Sequence, residues 1–268
     1  MMMIPVSVVI ITKNEAGVIA QSIKAARQFT DDIVVVDNGS TDHTMQIAHS
    51  LGCRVFERHW SGYGANKNKG IALARYDWIL SLDADEVTDN NLIEALQRLD
   101  YKDQTAVYDI RFKTYFGKKL IRFGSWGRDH HIRLFNRRVV RWSELQVHET
   151  LLLPGNAVKK KLNGYIHHYS VDGLAEYKQK ALHYARLSAQ KYYQAGKKSS
   201  LLKRWLSPSF NFIKNYIFYL GFADGKEGWY IATNTALHTW LKYQLLQKLE
   251  AGGDSKTVYY AENFSLEY

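Results

Sequence analysis

Trp78-Ile79-Leu80-Ser81-Leu82-Asp83-Ala84-Asp85 is the stretch that decides the fold. A short, nearly unbroken apolar run reads as a strand buried on both faces, the pattern of a parallel sheet. In open α/β sheets, ligands collect just beyond the carboxyl ends of such strands. Two carboxylates spaced i, i+2 at that edge repel each other unless a cation lies between them. A hard divalent ion suits the position, because Mg²⁺ is commonly held by one or two carboxylates together with substrate phosphates. The stretch therefore points to an enzyme that handles a phosphorylated substrate. The alternative is a pair of solvated loop acids.

Upstream of this strand the pattern repeats. Val6 to Ile11, Ile33 to Val36 and Arg54 to Phe56 read as further strands. Helical spacing separates them over 15–29, from Ser40 or Thr41 to about Leu51, and over 65–74. Repeated βα units of this size predict a parallel sheet wound with helices. Glu15 then follows the first strand, Asp37 ends the second, and Asp83 with Asp85 ends the fourth, so all four acids meet along one sheet edge. Carboxylates accept hydrogen bonds from the donors of a base and a ribose. A nucleoside diphosphate lying across that edge, with a metal at its phosphates, fits the arrangement.

Thr12-Lys13-Asn14-Glu15, Val34-Val35-Val36-Asp37-Asn38-Gly39-Ser40-Thr41-Asp42 and Asp83-Ala84-Asp85 resemble the ordered signature blocks of inverting family 2 glycosyltransferases. The resemblance implies a GT-A fold, α/β and Rossmann-like, with a mostly parallel sheet flanked by helices. It implies that Thr12, Asn14, Glu15 and Asp37 serve the uridine end of a UDP-sugar. Asp85, with Asp83, would hold Mg²⁺ or Mn²⁺ on the diphosphate. Gly64-Ala65-Asn66-Lys67-Asn68-Lys69-Gly70 matches the basic stretch before the metal-binding strand, so Lys67 or Asn68 would touch the nucleotide.

In the second half, Val147-His148-Glu149 downstream of Trp142, and Phe222-Ala223-Asp224-Gly225-Lys226-Glu227-Gly228, resemble blocks of a subgroup that builds lipopolysaccharide core. Within that subgroup the likeness is to β-1,4-glucosyltransferases acting on the inner core. Inversion by single displacement needs a carboxylate to take the acceptor proton. Glu149 is the expected base, and Asp129 in Gly127-Arg128-Asp129-His130-His131 is the second candidate. His148 would orient Glu149 or touch a phosphate. Arg128 and Arg133 belong to a run with Arg137, Arg138 and Arg141, and arginine suits bidentate phosphate recognition. A phosphorylated glycolipid is the expected acceptor.

The charge is divided unevenly. Residues 1–100 carry 9 Lys and Arg against 13 Asp and Glu, whereas residues 101–268 carry 27 against 13. A basic half suggests a polyanionic partner. The organisation expected is a nucleotide-sugar-binding half over 1–100, an acceptor-binding half over 101–172 and a helical extension over 173–268. Helices are predicted over 173–195, 200–221 and 225–250, and the tail from Gly252 is polar. Helix 200–221 carries Lys203 and Arg204 near its start and then many aromatics. It reads either as an interfacial helix on an anionic membrane or as a core or dimer element. No apolar run approaches the ~20 residues needed to span a bilayer. With one cysteine, Cys53, a disulfide framework is excluded and a reducing compartment is expected. The expected location is the cytoplasm, on the inner face of the inner membrane, with the oligomeric state left open.

Two other classes read less of the chain. Asp83-Ala84-Asp85-Glu86-Val87 also matches the motif of haloacid-dehalogenase phosphatases, with Asp83 as nucleophile. That family places its motif on the first core strand and adds a later acidic pair, and neither occurs here. A nucleic-acid-binding module would explain the basic half but leaves the acidic half without a role, so no nucleic acid is expected among the partners.

Overall fold

In the computed structural model, which describes residues 3–143 and 150–252, β1 (Val6–Thr12) is buried along its whole length. Its side chains divide between two cores with the period of a strand. Val6, Val8 and Ile10 enter one core, and Val9 and Ile11 enter the other. β2 (Asp32–Asp37) and β4 (Trp78–Asp83) divide in the same way. A strand covered on both sides has no polar face, which is why these segments read as continuous apolar runs.

Helix α1 (Ile19–Ala26) closes the first core with Ile19, Ile23 and Ala26. Helix α2 (Thr44–Ser50) adds Ala48. Between α2 and β4 lie β3 (Arg54–Glu57) and α3 (Tyr63–Leu73), and α3 covers the second core through Ile71. β1 pairs in parallel with β2 and β4, and β2 with β3. In register, Thr12 lies opposite Asp37, and Ile11 opposite Asp83. The carboxyl ends of β1, β2 and β4 thus share one edge.

Beyond β4 the sheet becomes mixed. β5 (Glu86–Thr88) leads into α4 (Asn90–Gln97), whose start is capped by Asp89 accepting from the Leu92 amide at 2.8 Å. β6 (Ala106–Phe116), the short β7 (Lys119–Leu120), β8 (His130–Asn136), β9 (Arg141–Trp142), β10 (Leu151–Leu152) and β11 (Val158–Val171) follow. The order along the sheet is β3-β2-β1-β4-β8-β6-β11-β5. β8 runs antiparallel to both β4 and β6, and β5 antiparallel to β11. β9 and β10 form a separate antiparallel pair. The mostly parallel sheet expected is parallel in its first four strands and mixed in the remainder.

Two compact units divide the chain. The first comprises 1–115 and 128–170, and the second comprises 116–127 and 171–268. The described residues of the second unit are mainly helical, with α5 (Leu174–Gln194), α6 (Leu201–Ile213) and α7 (Gly225–Glu250). Ala185 and Ala189 of α5 pack on Leu245, Leu246 and Leu249 of α7. Helix α6 ends before the 221 expected. It continues as a π turn over Lys214–Phe218, and Leu220 then takes a left-handed φ of 58°. The Asp224 side chain is buried and accepts from the backbone amides of Arg122 (3.2 Å) and Phe123 (2.8 Å). A Cβ on Gly228 would lie 1.8 Å from the Gly221 carbonyl oxygen. The block Phe222 to Gly228 therefore has a structural reason for its composition.

Candidate active site

The loop after β1 and the loop after β2 are knitted together. Asn14, at a left-handed φ of 57°, accepts from the Thr41 amide at 2.8 Å, and its own amide donates to Ser40 Oγ at 2.8 Å. The Glu15 amide donates to Thr44 Oγ1 at 2.8 Å. Asp37 is buried and accepts from the amides of Gly39 (2.9 Å) and Ser40 (2.8 Å), which folds its own loop into a tight turn. The Thr12 hydroxyl is buried and has no hydrogen-bond partner among the described residues. Thr12, Asn14, Glu15 and Asp37 thus sit together at the ends of β1 and β2. Asp42 accepts from the Thr44 amide at 3.0 Å and the Ala16 amide at 3.1 Å, and it completes the knot.

At the end of β4 lies a cluster of opposite charges. Lys67 on α3 is 2% exposed, and its ammonium is 3.3 Å from Asp83 Oδ1 and 4.6 Å from the centre of the Trp142 ring. Arg133 on β8 reaches Asp83 Oδ2 at 3.1 Å and also pairs with Glu86. The Glu86 carboxylate accepts from the Asp83 amide at 3.1 Å. His168 on β11 lies 3.3 Å from Asp85 Oδ2. Three carboxylates therefore meet three basic side chains, delivered by α3, β4, β5, β8, β11 and the turn between β4 and β5.

The electrostatics follow from that enclosure. Burial would raise the Asp83 carboxyl, but Lys67, then Arg133 and His168, hold it well below the ordinary carboxylate range. Burial pushes Glu86 upward against the pull of Arg133, and repulsion from Asp83 adds to it. Burial would lower His168, but Asp85, Glu86 and Asp83 push it up to about 9, so it is an imidazolium at neutral pH. The Nδ1 atom of His168 is buried without a hydrogen-bond partner among the described residues.

Asp129 precedes β8. Its carboxylate pairs with His131 Nε2 at 2.9 Å, and the His131 ring stands edge-on to Phe112 at 5.2 Å. Burial would raise the Asp129 carboxyl, but the His131 hydrogen bond, with the charges of His168 and Arg133, lowers it. Asp129 thus lies within electrostatic reach of the Asp83–Asp85 cluster, as an ionised carboxylate.

The remaining sequence-derived residues fall into three groups. The Asn68 side chain exchanges two hydrogen bonds with the Trp142 backbone, at 2.9 and 3.0 Å, and so anchors β9 to α3. The arginine run disperses. Arg133 is buried on Asp83 and Glu86, Arg137 and Arg138 both pair with Asp77, and Arg128 is exposed. His148 and Glu149 lie outside the described residues. Sequence reasoning missed Glu86 and His168. Glu86 directly follows the two aspartates and had a local signal, whereas His168 is brought in by sheet pairing alone.

The donor set at Asp83 and Asp85 is two hard carboxylate groups. Among the described residues no group of three or more His, Cys, Asp or Glu forms a closed metal cage. Two carboxylates suit a divalent ion whose remaining ligands are phosphate and water oxygens.

Known proteins resemble this chain in sequence. An uncharacterised glycosyltransferase of Rickettsia typhi is 29% identical over 97% of this chain and 91% of its own length. The lipopolysaccharide core biosynthesis glycosyltransferase LpsC of Rhizobium meliloti is 27% identical over 80% of this chain and 81% of its own. Among solved structures, a glucosyl-3-phosphoglycerate synthase from Mycobacterium tuberculosis, crystallised with Mn²⁺, UDP and glucosyl-3-phosphoglycerate, aligns over 42% of this chain and 44% of that one. It does so at 21% identity and a TM-score of 0.34. The family model for glycosyl transferase family 2 matches residues 7–163, from β1 to within β11, and this chain is a member of that family.

Proposed function

We propose that this glycosyltransferase moves a hexose, glucose in the first instance, from a UDP-sugar to the inner core of lipopolysaccharide, with inversion at the anomeric carbon. The observation that carries the reading is the Asp83–Asp85 pair at the carboxyl end of β4, with Lys67 and Arg133 buried against it. The relative from Rhizobium meliloti, named for lipopolysaccharide core biosynthesis, supports the acceptor class.

In this reading Thr12, Asn14, Glu15 and Asp37 hold the nucleoside at the ends of β1 and β2. Asp83 and Asp85 hold a divalent ion, Mg²⁺ or Mn²⁺, which when bound offsets charge on the leaving diphosphate. Lys67 positions Asp83 and adds positive potential beside the phosphates. Phosphoryl groups and cations in a low-dielectric site interact far more strongly than in water, so burial of Lys67 and Arg133 matters. A carboxylate must accept the proton of the attacking hydroxyl. Glu149 and Asp129 are the two candidates. His131 keeps Asp129 ionised and fixes its direction. Arg128 and His148 are assigned to the acceptor phosphate.

A donor screen tests the proposal. UDP-glucose, UDP-galactose, UDP-N-acetylhexosamines and GDP-mannose are each offered with Mn²⁺, and thermal shift and hydrolysis are read. UDP-glucose should give the largest shift and the fastest hydrolysis. Preference for GDP-mannose, or no response to any UDP-sugar, rejects it.

A further inference from the structure

Helix α6 exposes an apolar stripe that no described residue of its own unit covers. Leu202, Trp205, Leu206, Phe210, Ile213 and Ile217 recur at helical spacing along α6 and the π turn that extends it. Trp205 is 64% exposed and Phe210 58%. The opposite side of the same helix is spent on α7 and its neighbours. Pro208 and Asn215 are buried there, and Asn211 Nδ2 donates to Thr239 Oγ1 at 2.8 Å. The stripe is therefore a fixed outer face and not a loosely docked helix awaiting its own core. A groove of about 460 Å³ runs along it between α6 and α7, lined by Trp205, Phe212, Ile213 and Trp240. Soluble monomers rarely leave contiguous apolar patches of this kind uncovered.

The charge pattern selects the occupant. Residues 177–223 contain nine Lys and Arg and no Asp or Glu. Lys198 and Lys203 stand at the start of α6, and Lys214 at its end. A second copy docking through this face would bring like charges together around the apolar stripe. An anionic bilayer meets both features, because apolar side chains enter the acyl boundary while lysines remain at the headgroups. No helix of the described residues is long and apolar enough to cross a membrane, so the contact is with one surface. We infer that the α6 face is a monotopic docking surface for an anionic lipid bilayer, with Trp205, Leu206 and Phe210 as the inserted residues. The inference stands on the second unit alone and does not depend on the donor or acceptor assigned above.

Co-sedimentation with vesicles tests it. One set is phosphatidylcholine alone, and the other is equimolar phosphatidylcholine and phosphatidylglycerol. The wild-type chain should pellet with the anionic set and remain in solution with the neutral set, and salt should weaken the binding. Leu206→Ser with Phe210→Ser should bind at least about tenfold more weakly, since two large apolar side chains no longer enter the bilayer. Lys203→Glu with Lys214→Glu should lose the preference for anionic lipid. Lys203, Leu206 and Phe210 are exposed and Lys214 is half-buried, and UDP binding measured in parallel should be unchanged in each variant. Failure of the wild type to bind anionic vesicles overturns the inference. So does unchanged binding of the serine variant, or a wild-type dimer in solution that the serine variant dissociates.

Discussion

The Lys67 ammonium lies 3.3 Å from Asp83 Oδ1, although one residue belongs to a helix and the other to the end of a central strand. Lys67 is enclosed, whereas one third of the Asp83 side chain is open to solvent. The pair therefore links the packing of α3 to the charge at the sheet edge. Lys67→Met should lower stability by about 1–3 kcal/mol, the usual cost of leaving a partly buried polar partner unsatisfied. It should weaken UDP binding more than that loss explains. Denaturant unfolding and a UDP titration, run on the same variant, check both effects.

Asp129 and Glu149 make opposite predictions as proton acceptors. The base variant should lose transfer by at least about 100-fold while binding UDP with little change, because general-base catalysis contributes 10²–10⁴-fold. Glu149→Gln is expected to behave this way. If Asp129→Asn behaves this way and Glu149→Gln remains active, Asp129 is the base. Single-turnover transfer with UDP-glucose and an acceptor separates the two.

The sheet edge was legible because each contributing strand announces itself locally. β1, β2 and β4 are apolar runs that end in polar residues, and the parallel register carries those ends to one place. The antiparallel insertion of β8 beside β4 was not legible, because the run Ile132 to Phe135 has the same composition in either direction. That insertion brings Arg133 to Asp83 and Glu86. An arginine in a basic run reads as a phosphate ligand or a solvated charge, and only the pairing of β8 with β4 shows which carboxylates it meets. Lys67 was named as a nucleotide contact, but its burial against Asp83 was hidden for a related reason. Its helix has polar residues on several sides, and close approach to the sheet through Gly70 is what buries it.

Gly70 gives a direct test of that approach. A Cβ there would lie 2.5 Å from Val9 Cγ1 and 2.9 Å from Val36 Cγ2, in the middle of the second core. Gly70→Ala should destabilise the protein by about 1–3 kcal/mol, as overpacking does. It should also reduce UDP affinity, since α3 carries Lys67. A melting curve and a UDP titration check this, and a stabilised variant would contradict the packing described.

Asp32 predicts part of the acid sensitivity. It is buried at the start of β2 and accepts from Ser7, from the Arg75 amide at 2.7 Å and from Arg54 at 2.8 Å. Burial would raise its carboxyl, but the Ser7, Arg75 and Arg54 hydrogen bonds lower it from the ordinary 3.8. A carboxyl with a lowered folded-state value contributes stability above its unfolded value, and that contribution is lost as pH falls through the folded one. The wild type should therefore lose stability steeply as pH falls below 3.8. Asp32→Asn should be less stable at neutral pH and should show a shallower dependence in that range. Urea unfolding across acidic pH measures the slope.

Calorimetric titration of UDP in the presence and absence of Mn²⁺, on the wild type and on Asp85→Asn, tests the central claim most directly. The account predicts that the wild type binds UDP, that Mn²⁺ strengthens the binding, and that Asp85→Asn removes the Mn²⁺ effect while its melting temperature stays near that of the wild type. A wild type that does not bind UDP, or a Mn²⁺ effect that survives in Asp85→Asn, would contradict it.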